Sequence, residues 1–147
     1  MVSWWMWYHI PTISLFKNDP VGPPPKAKAI LVTDCDSGFG QSLAIQMVGL
    51  GLEVIAACYT IEGAQVLNLV ATIVVANLTT KQGLKKVVVV VYSQVVAKED
   101  TELWAIANNA GMHMPGTVKW LPPAAYKQIM ALNFHAPVHV IHERTPL

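Results

Sequence analysis

The sequence predicts an α/β fold, a doubly wound parallel sheet truncated after about four strands. Three observations carry that prediction. Short, nearly continuous apolar runs at Ala29 to Thr33, Glu53 to Cys58, Ala71 to Ala76 and Leu103 to Ala107 suit strands covered on both faces. Apolar residues at helical spacing follow the first of these runs and recur between the others. The first run opens into a turn bearing Gly38 and Gly40, directly before a helical pattern.

Taken in order, the chain begins with an aromatic, apolar stretch, Trp4 to Phe16, which is shorter than the ~20 residues a bilayer span needs and contains Pro11. Its tryptophans and tyrosine suit a headgroup boundary. It lacks the basic start and small-residue cleavage site of a secretion signal. Lys17 to Lys26, with four prolines, reads as a semi-rigid linker. The expected organisation is therefore a hydrophobic leader and Pro-rich linker over 1–26 and a truncated domain over 27–147, whose turn with Gly38 and Gly40 ahead of a helix N-terminus reads as a dinucleotide-binding turn. After the glycine turn, Leu43, Ala44, Met47, Val48 and Leu50 share helical spacing, and Gly49 and Gly51 offer a stop. A second helix is expected over Ile61 to Val70. Between Lys85 and Val96, five consecutive valines favour strand by propensity, although a helix is the expectation, apolar nearly all round and buried between the sheet and a partner. Pro122-Pro123 starts a last helix, which Pro137 should kink or stop.

Composition narrows the function classes. An apolar fraction of 53% against 13% charged residues is high for a soluble domain, and a net charge of +1 creates no field to gather nucleic acid. Cys35 and Cys58 have no CxxC or Cys/His spacing that suggests zinc and read as two reduced thiols. His135, His139 and His142 share helical spacing, but Pro137 interrupts them and only Glu143 accompanies them, so no metal is expected. Trp104 and Trp120 read as packing residues.

The turn Thr33-Asp34-Cys35-Asp36-Ser37-Gly38-Phe39-Gly40 resembles the Thr-Gly-x-x-x-Gly-x-Gly turn of the short-chain dehydrogenase/reductase family. Leu103-Trp104-Ala105-Ile106-Ala107-Asn108-Asn109-Ala110-Gly111 resembles the strand of that family that ends in Asn-Asn-Ala-Gly. Together with Ala56-Ala57-Cys58 and Tyr126-Lys127-Gln128…Asn133-Phe134, these motifs look most like the branch containing retinol dehydrogenases, 17-beta-hydroxysteroid dehydrogenase type 2 and D-beta-hydroxybutyrate dehydrogenase. The resemblance covers about Lys28 to Val138. It implies a Rossmann-like, intracellular oxidoreductase of hydrophobic alcohols such as steroids or retinoids, membrane-associated at the endoplasmic reticulum or else cytoplasmic.

For the site, the resemblance implies that Thr33, Asp36, Ser37, Gly38, Phe39 and Gly40 contact a nicotinamide cofactor. Asn77 would lie beside the adenine, and Asn108, Ala110 and Gly111 along its middle. NAD is the cofactor the branch implies, with NADP the alternative, because Cys58-Tyr59-Thr60 offers neither an acid for a ribose 2′-hydroxyl nor an Arg for a 2′-phosphate. Asn133, 24 residues after Asn109, matches the asparagine that holds a water in the family's proton relay. The family's catalytic Ser, Tyr and Lys have no counterpart, since no tyrosine here is followed by a lysine four residues later.

Asp34 stands where the family has its first glycine. Two unit charges ~5 Å apart at an effective dielectric of ~20 repel by roughly 3 kcal/mol, so a carboxylate facing a pyrophosphate should weaken binding. Two readings follow: the cofactor-binding part of an oxidoreductase, inactive alone, or a non-catalytic module that pairs with itself or another protein through exposed apolar surface. A small hydrophobic substrate belongs only to a complete enzyme, and its identity is not written in this sequence.

Overall fold

A computed structural model describes residues 27–96, 98 and 101–142. Its four strands, β1 (Ala27–Thr33), β2 (Glu53–Cys58), β3 (Thr72–Val75) and β4 (Thr101–Ala107), form one sheet in the order β3-β2-β1-β4. Every pairing is parallel. Helices α1 (Gly38–Gly49), α2 (Ile61–Ala64) and α3 (Lys81–Val96) connect the strands. After β4 come α4 (Pro123–Met130), a π-helical turn over Ala131–His135, and α5 (Ala136–His142).

The apolar strand runs are continuous because both sheet faces are covered. Ile30, Val32, Val54, Ala56 and Cys58 point to one side, where they meet Ala44 and Met47 of α1 and Leu67. Leu31, Ile55, Ala57 and Val74 point to the other, against Val87 and Val91 of α3 and Ala136 and Val140 of α5. Complete burial of each Leu, Ile or Val side chain contributes about 1.5–3 kcal/mol. The central strand β1 therefore anchors both layers. Its pairing with β4 slips one residue at Trp104, opposite the Ala29/Ile30 step. Trp104 stays half-buried there, with the Lys28 ammonium 5.0 Å from its ring centre. Trp120 is 78% exposed, contrary to its expected packing role.

Two elements depart from the sequence expectation, and a third keeps its expected helix but not its expected all-round burial. The stretch expected as a helix over Ile61 to Val70 is α-helical only through Ala64, and continues as tighter turns with Leu67 N–H bonding Ala64 O and Val70 N–H bonding Leu67 O. The short interval between β2 and β3 leaves room for little more. The valine run does form a helix, because Leu84, Val87, Val91 and Val95 line up on the sheet and tertiary burial overrides β-propensity. That helix is one-sided rather than apolar all round, with Val89 and Tyr92 more than half exposed. Finally, Pro137 neither stops nor breaks the last helix. Ala136 N–H reaches back five residues to Ala131 O, and this π turn absorbs the proline's missing donor just before α5 resumes.

Threonines cap the two crossover helices on the β2–β3–β4 side. Thr60 Oγ1 accepts from Gly63 N–H, and Thr80 Oγ1 accepts from Gly83 N–H, both at 3.0 Å. The leader and linker over 1–26 lie outside the described residues; among those described, no helix is long and apolar enough to cross a membrane.

Cys35 and Cys58 are buried on the same face. Burial, followed by the charge of each other and of Asp34 and Asp36, pushes Cys35 up to about 12; burial and those two carboxylates push Cys58 up to about 11. The thiolate, the reactive form, is scarce at pH 8. Alkylation by iodoacetamide at pH 8 should thus run at least about a hundredfold slower in the folded chain than in urea. Equal rates would show that these thiols are not held as described. Helical glycines give a second check. A Cβ on Gly83 would overlap Asn77 O, whereas one on Gly49 meets nothing within 4 Å. Gly83→Ala should destabilise by about 1–3 kcal/mol and Gly49→Ala should stabilise by up to about 1 kcal/mol in urea unfolding.

Candidate functional site

The order β3-β2-β1-β4 reverses direction between β1 and β4, so the loops leaving those strands diverge and open a crevice at their carboxyl ends. A cleft of about 390 Å³ lies at that end of the sheet. Asp34 from the β1 loop, Cys58 and Tyr59 from β2, Asn77 from β3, and Ala110, Gly111 and Met112 after β4 line it. Its size falls within the range of small-molecule sites.

One buried hydroxyl joins the two diverging loops. Thr33, 1% exposed, accepts from Asn109 N–H at 3.0 Å and Ala110 N–H at 2.9 Å, and donates to Ala107 O at 3.4 Å. Asn109 answers with its side chain: Nδ2 donates to Thr33 O at 3.1 Å and Asp34 O at 3.2 Å. Gly40 lies against the same knot, where a Cβ would overlap Asp34 O and approach Asn109 Nδ2. Glycine is required there by contact, and at Gly38 by its left-handed φ of 61°. Thr33 therefore builds the turn from inside the core. Asn109 was not among the expected contact residues; the doubled asparagine was the only signal for it.

Around the first turn of α1 the remaining residues divide. Ser37 occupies the N-cap position without a side-chain cap bond, and Gly38 and Phe39 are exposed, Phe39 at 85%. The helix thus presents its first N–H groups toward solvent, the usual setting for an anionic group. Asp36 faces away from that turn and grips β2. Its Oδ2 accepts Tyr59 N–H at 2.6 Å, and its Oδ1 accepts Thr60 N–H at 2.8 Å and Thr60 Oγ1–H at 2.7 Å. Burial raises its carboxyl, but these bonds outweigh that and hold it below the ordinary value.

Asp34 is the discordant residue. It adopts a left-handed φ of 60°, the conformation that its replacement of glycine requires, and Asp tolerates this better than most residues. Its exposed carboxyl lines the cleft. Partial burial first, and the negative charge of Asp36 second, raise its pKa.

On the far side, the Asn77 Oδ1 accepts from the N–H and the hydroxyl of Thr79, at 2.9 and 2.7 Å, fixing the loop after β3 at the cleft wall. Asn108 is exposed, and Ala110 and Gly111 follow it along the cleft. Asn133, on the π turn, is clamped to one residue of that loop: Oδ1 accepts Met112 N–H and Nδ2 donates to Met112 O, both at 2.8 Å. Each amide atom retains capacity for one further bond. Met112, Gln128, Leu132, Leu78 and Thr79 complete the wall without having been singled out in the sequence. Among the described residues, no three His, Cys, Asp or Glu side chains group as metal ligands.

A family model described as short chain dehydrogenase matches residues 28–147. Among curated proteins, the chain is 33% identical over 137 residues to short-chain dehydrogenase/reductase family 9C member 7 of Bos taurus, covering 90% of this chain and 43% of that protein. It is 35% identical over 132 residues to estradiol 17-beta-dehydrogenase 2 of Rattus norvegicus, covering 84% and 34%. It is 31% identical over 129 residues to retinol dehydrogenase 5 of Mus musculus, covering 84% and 40%. The chain thus spans roughly two-fifths or less of the length of these relatives. Among solved structures, a short-chain dehydrogenase from Streptomyces avermitilis superposes with a TM-score of 0.70 at 21% identity, over 80% of this chain and 43% of that one. A metagenomic short-chain oxidoreductase in complex with NADP superposes at 0.69 and 19% identity, over 81% and 55%. The motifs, the reversed sheet order and the matched span agree: the chain belongs to the short-chain dehydrogenase family.

Proposed function

We propose that this chain supplies the cofactor-binding half of a nicotinamide-dependent oxidoreductase that interconverts alcohols and ketones on a hydrophobic substrate such as a steroid or retinoid. The observation that carries the proposal is the knot of Thr33, Asn109 and Gly40, which presents the open N-terminus of α1 at the reversal point of the sheet. These residues fit a dinucleotide. The N–H groups after Ser37 would hold its pyrophosphate, the Asn77 wall its adenosine end, and the Asn108 to Gly111 loop its middle. When bound, the nicotinamide supplies the hydride donor or acceptor. Asn133 holds Met112 and keeps spare hydrogen-bonding capacity for a relay water. The chain alone would not turn over substrate, because no tyrosine in its sequence has the lysine partner that tunes a proton donor. NAD is the proposed cofactor, and peripheral contact with the endoplasmic reticulum membrane through 4–16 is part of the reading on sequence grounds.

A second reading, a non-catalytic module that pairs with a partner or a second copy, draws on the exposed apolar side chains of the last helical stretch. Met130, Phe134 and Val138 are each about half exposed there. Nucleotide binding by a monomer would favour the first reading; a stable oligomer with no nucleotide affinity would favour the second.

Two predictions test the cofactor reading. Asp34→Gly should tighten NADH binding about tenfold by calorimetry, less than the bare Coulomb figure because the carboxylate is exposed and screened. Absence of binding in both forms would sink the proposal. The Asp34 pKa is raised, and a pyrophosphate should favour its neutral form further. NADH affinity of the unmodified chain should therefore rise as pH falls through that pKa, and Asp34→Gly should lack this trend. A trend of the same size in both proteins would place the titrating group elsewhere.

A further inference from the structure

The net charge of +1 conceals an uneven distribution. Neither Gly63 to Lys98 nor Leu103 to His142 contains an Asp or Glu, so α3 and the whole stretch from α4 to α5 carry no acid. Helices α3 and α5 pack on each other and form one layer over the sheet face of Leu31, Ile55 and Val74. The inner side of that layer is apolar, with Val87, Val91, Ala136 and Val140 buried. Its outer side mixes exposed apolar groups with cations. On α3, Lys81, Lys85, Val89 and Tyr92 follow one another at helical spacing, and all are exposed. On the last stretch, Tyr126, Met130, Phe134 and Val138 are each more than a third exposed. One position further on, beside that stripe, run Lys127, His135 and His139, also exposed. Both stripes continue across the π turn and Pro137. Tyr126 Oη donates to Val118 O at 3.3 Å, which joins the apolar stripe to the exposed loop of Val118, Lys119 and Trp120.

We infer that this helical layer docks on an anionic lipid surface, lying flat with Phe134 and its neighbours in the headgroup boundary and the lysines against the lipid charge. The surface is distinct from residues 4–16, and the inference does not depend on the dinucleotide reading. Charge complementarity selects the occupant. A second copy seated on the same face would bring together two surfaces of one sign, with no carboxylate on either helix to meet Lys81, Lys85 or Lys127. An anionic leaflet supplies the missing charge over the whole layer. A nucleic acid would engage the lysines but leave the apolar stripe beside them in water. From Pro123 to His142 the stretch runs about 30 Å at the usual helical rise, enough for an amphipathic helix lying in the interface plane. Trp120 and Tyr126 at its start are the residue types that favour that boundary.

The test is co-sedimentation of the full chain with phosphatidylcholine vesicles and with vesicles in which about 30% of the lipid is phosphatidylserine, because an anionic surface attracts each nearby lysine. Residues 4–16 contain no Lys or Arg, so the gain from anionic lipid reads the helical layer rather than that segment. The unmodified chain should bind the anionic vesicles at least roughly tenfold more tightly than the neutral ones. The triple variant Lys81→Gln, Lys85→Gln, Lys127→Gln should lose most of that preference. The double variant Phe134→Ser, Val138→Ser should bind the anionic vesicles roughly tenfold more weakly. Leu69→Ser, at an exposed leucine beside Leu67 on the α1 side of the sheet, should change neither. Should a variant unfold, salt provides the measurement on the unmodified chain: raising ionic strength from about 0.1 M to about 1 M should erase most of the preference. Equal binding to both vesicles, a preference that survives the lysine replacements or high salt, or a loss caused by Leu69→Ser would each overturn the inference. So would an oligomer that the Phe134 and Val138 replacements dissociate in a chain that binds neither vesicle, an outcome that assigns the face to a second copy. Nucleotide titration is a separate readout, so failure here leaves the cofactor reading standing.

Discussion

The cleft depends on the hydroxyl of Thr33. A buried hydroxyl costs free energy unless it is bonded, and this one spends its donor and both acceptor positions on the end of β4. Two loops that leave the sheet on diverging paths are thereby held at one fixed separation. Asn109 can then reach both Thr33 O and Asp34 O, and the reach of its amide leaves no room for a side chain at Gly40. Each constraint presupposes the one before it. Sterics, satisfied polar groups and backbone freedom are therefore one requirement at this point of the chain, and the helix that follows is aimed by all three.

The same turn separates two carboxylates by their surroundings. Asp36 is surrounded by donors and its charge is stabilised, which ties the glycine turn to the neighbouring strand. Among the described residues Asp34 gains no such partners; partial burial, and then the field of Asp36, disfavour its charge. Two residues apart, identical side chains take opposite roles because one is turned onto backbone N–H groups and the other into the cleft.

Much of this was legible in the sequence. Strands buried on both faces leave uninterrupted apolar runs, and a glycine turn between strand and helix marks the crevice; the four strands, α1 and the start of α4 followed from those signals. Where local and tertiary preferences compete, the outcome was mixed. Val87 to Val91 prefer strand locally, and their match to the sheet surface makes them helical, as the sequence led one to expect. Ile61 to Val70 has helical spacing, but the chain between β2 and β3 is too short to express it. At the site, residue types were readable whereas partners were not: nothing in the sequence says that Asp36 bonds Tyr59 and Thr60, 23 and 24 positions away. Thr33 and Asn109, which touch across 76 positions, are invisible to periodicity for the same reason.

The π turn ahead of Pro137 has a consequence for phase. In an unbroken α-helix, Asn133, Ala136 and Val140 are three and seven positions apart and share one stripe, so an amide would be pressed into the apolar layer that Ala136 and Val140 occupy. One widened turn delays the helix by about one residue, roughly 100° of rotation. That delay lets the stripe stay on the sheet while the asparagine swings out to Met112. A proline that looks like a defect in the helix thus coincides with a phase shifter, and the polar and apolar halves of the segment are each set at the angle that their neighbours require.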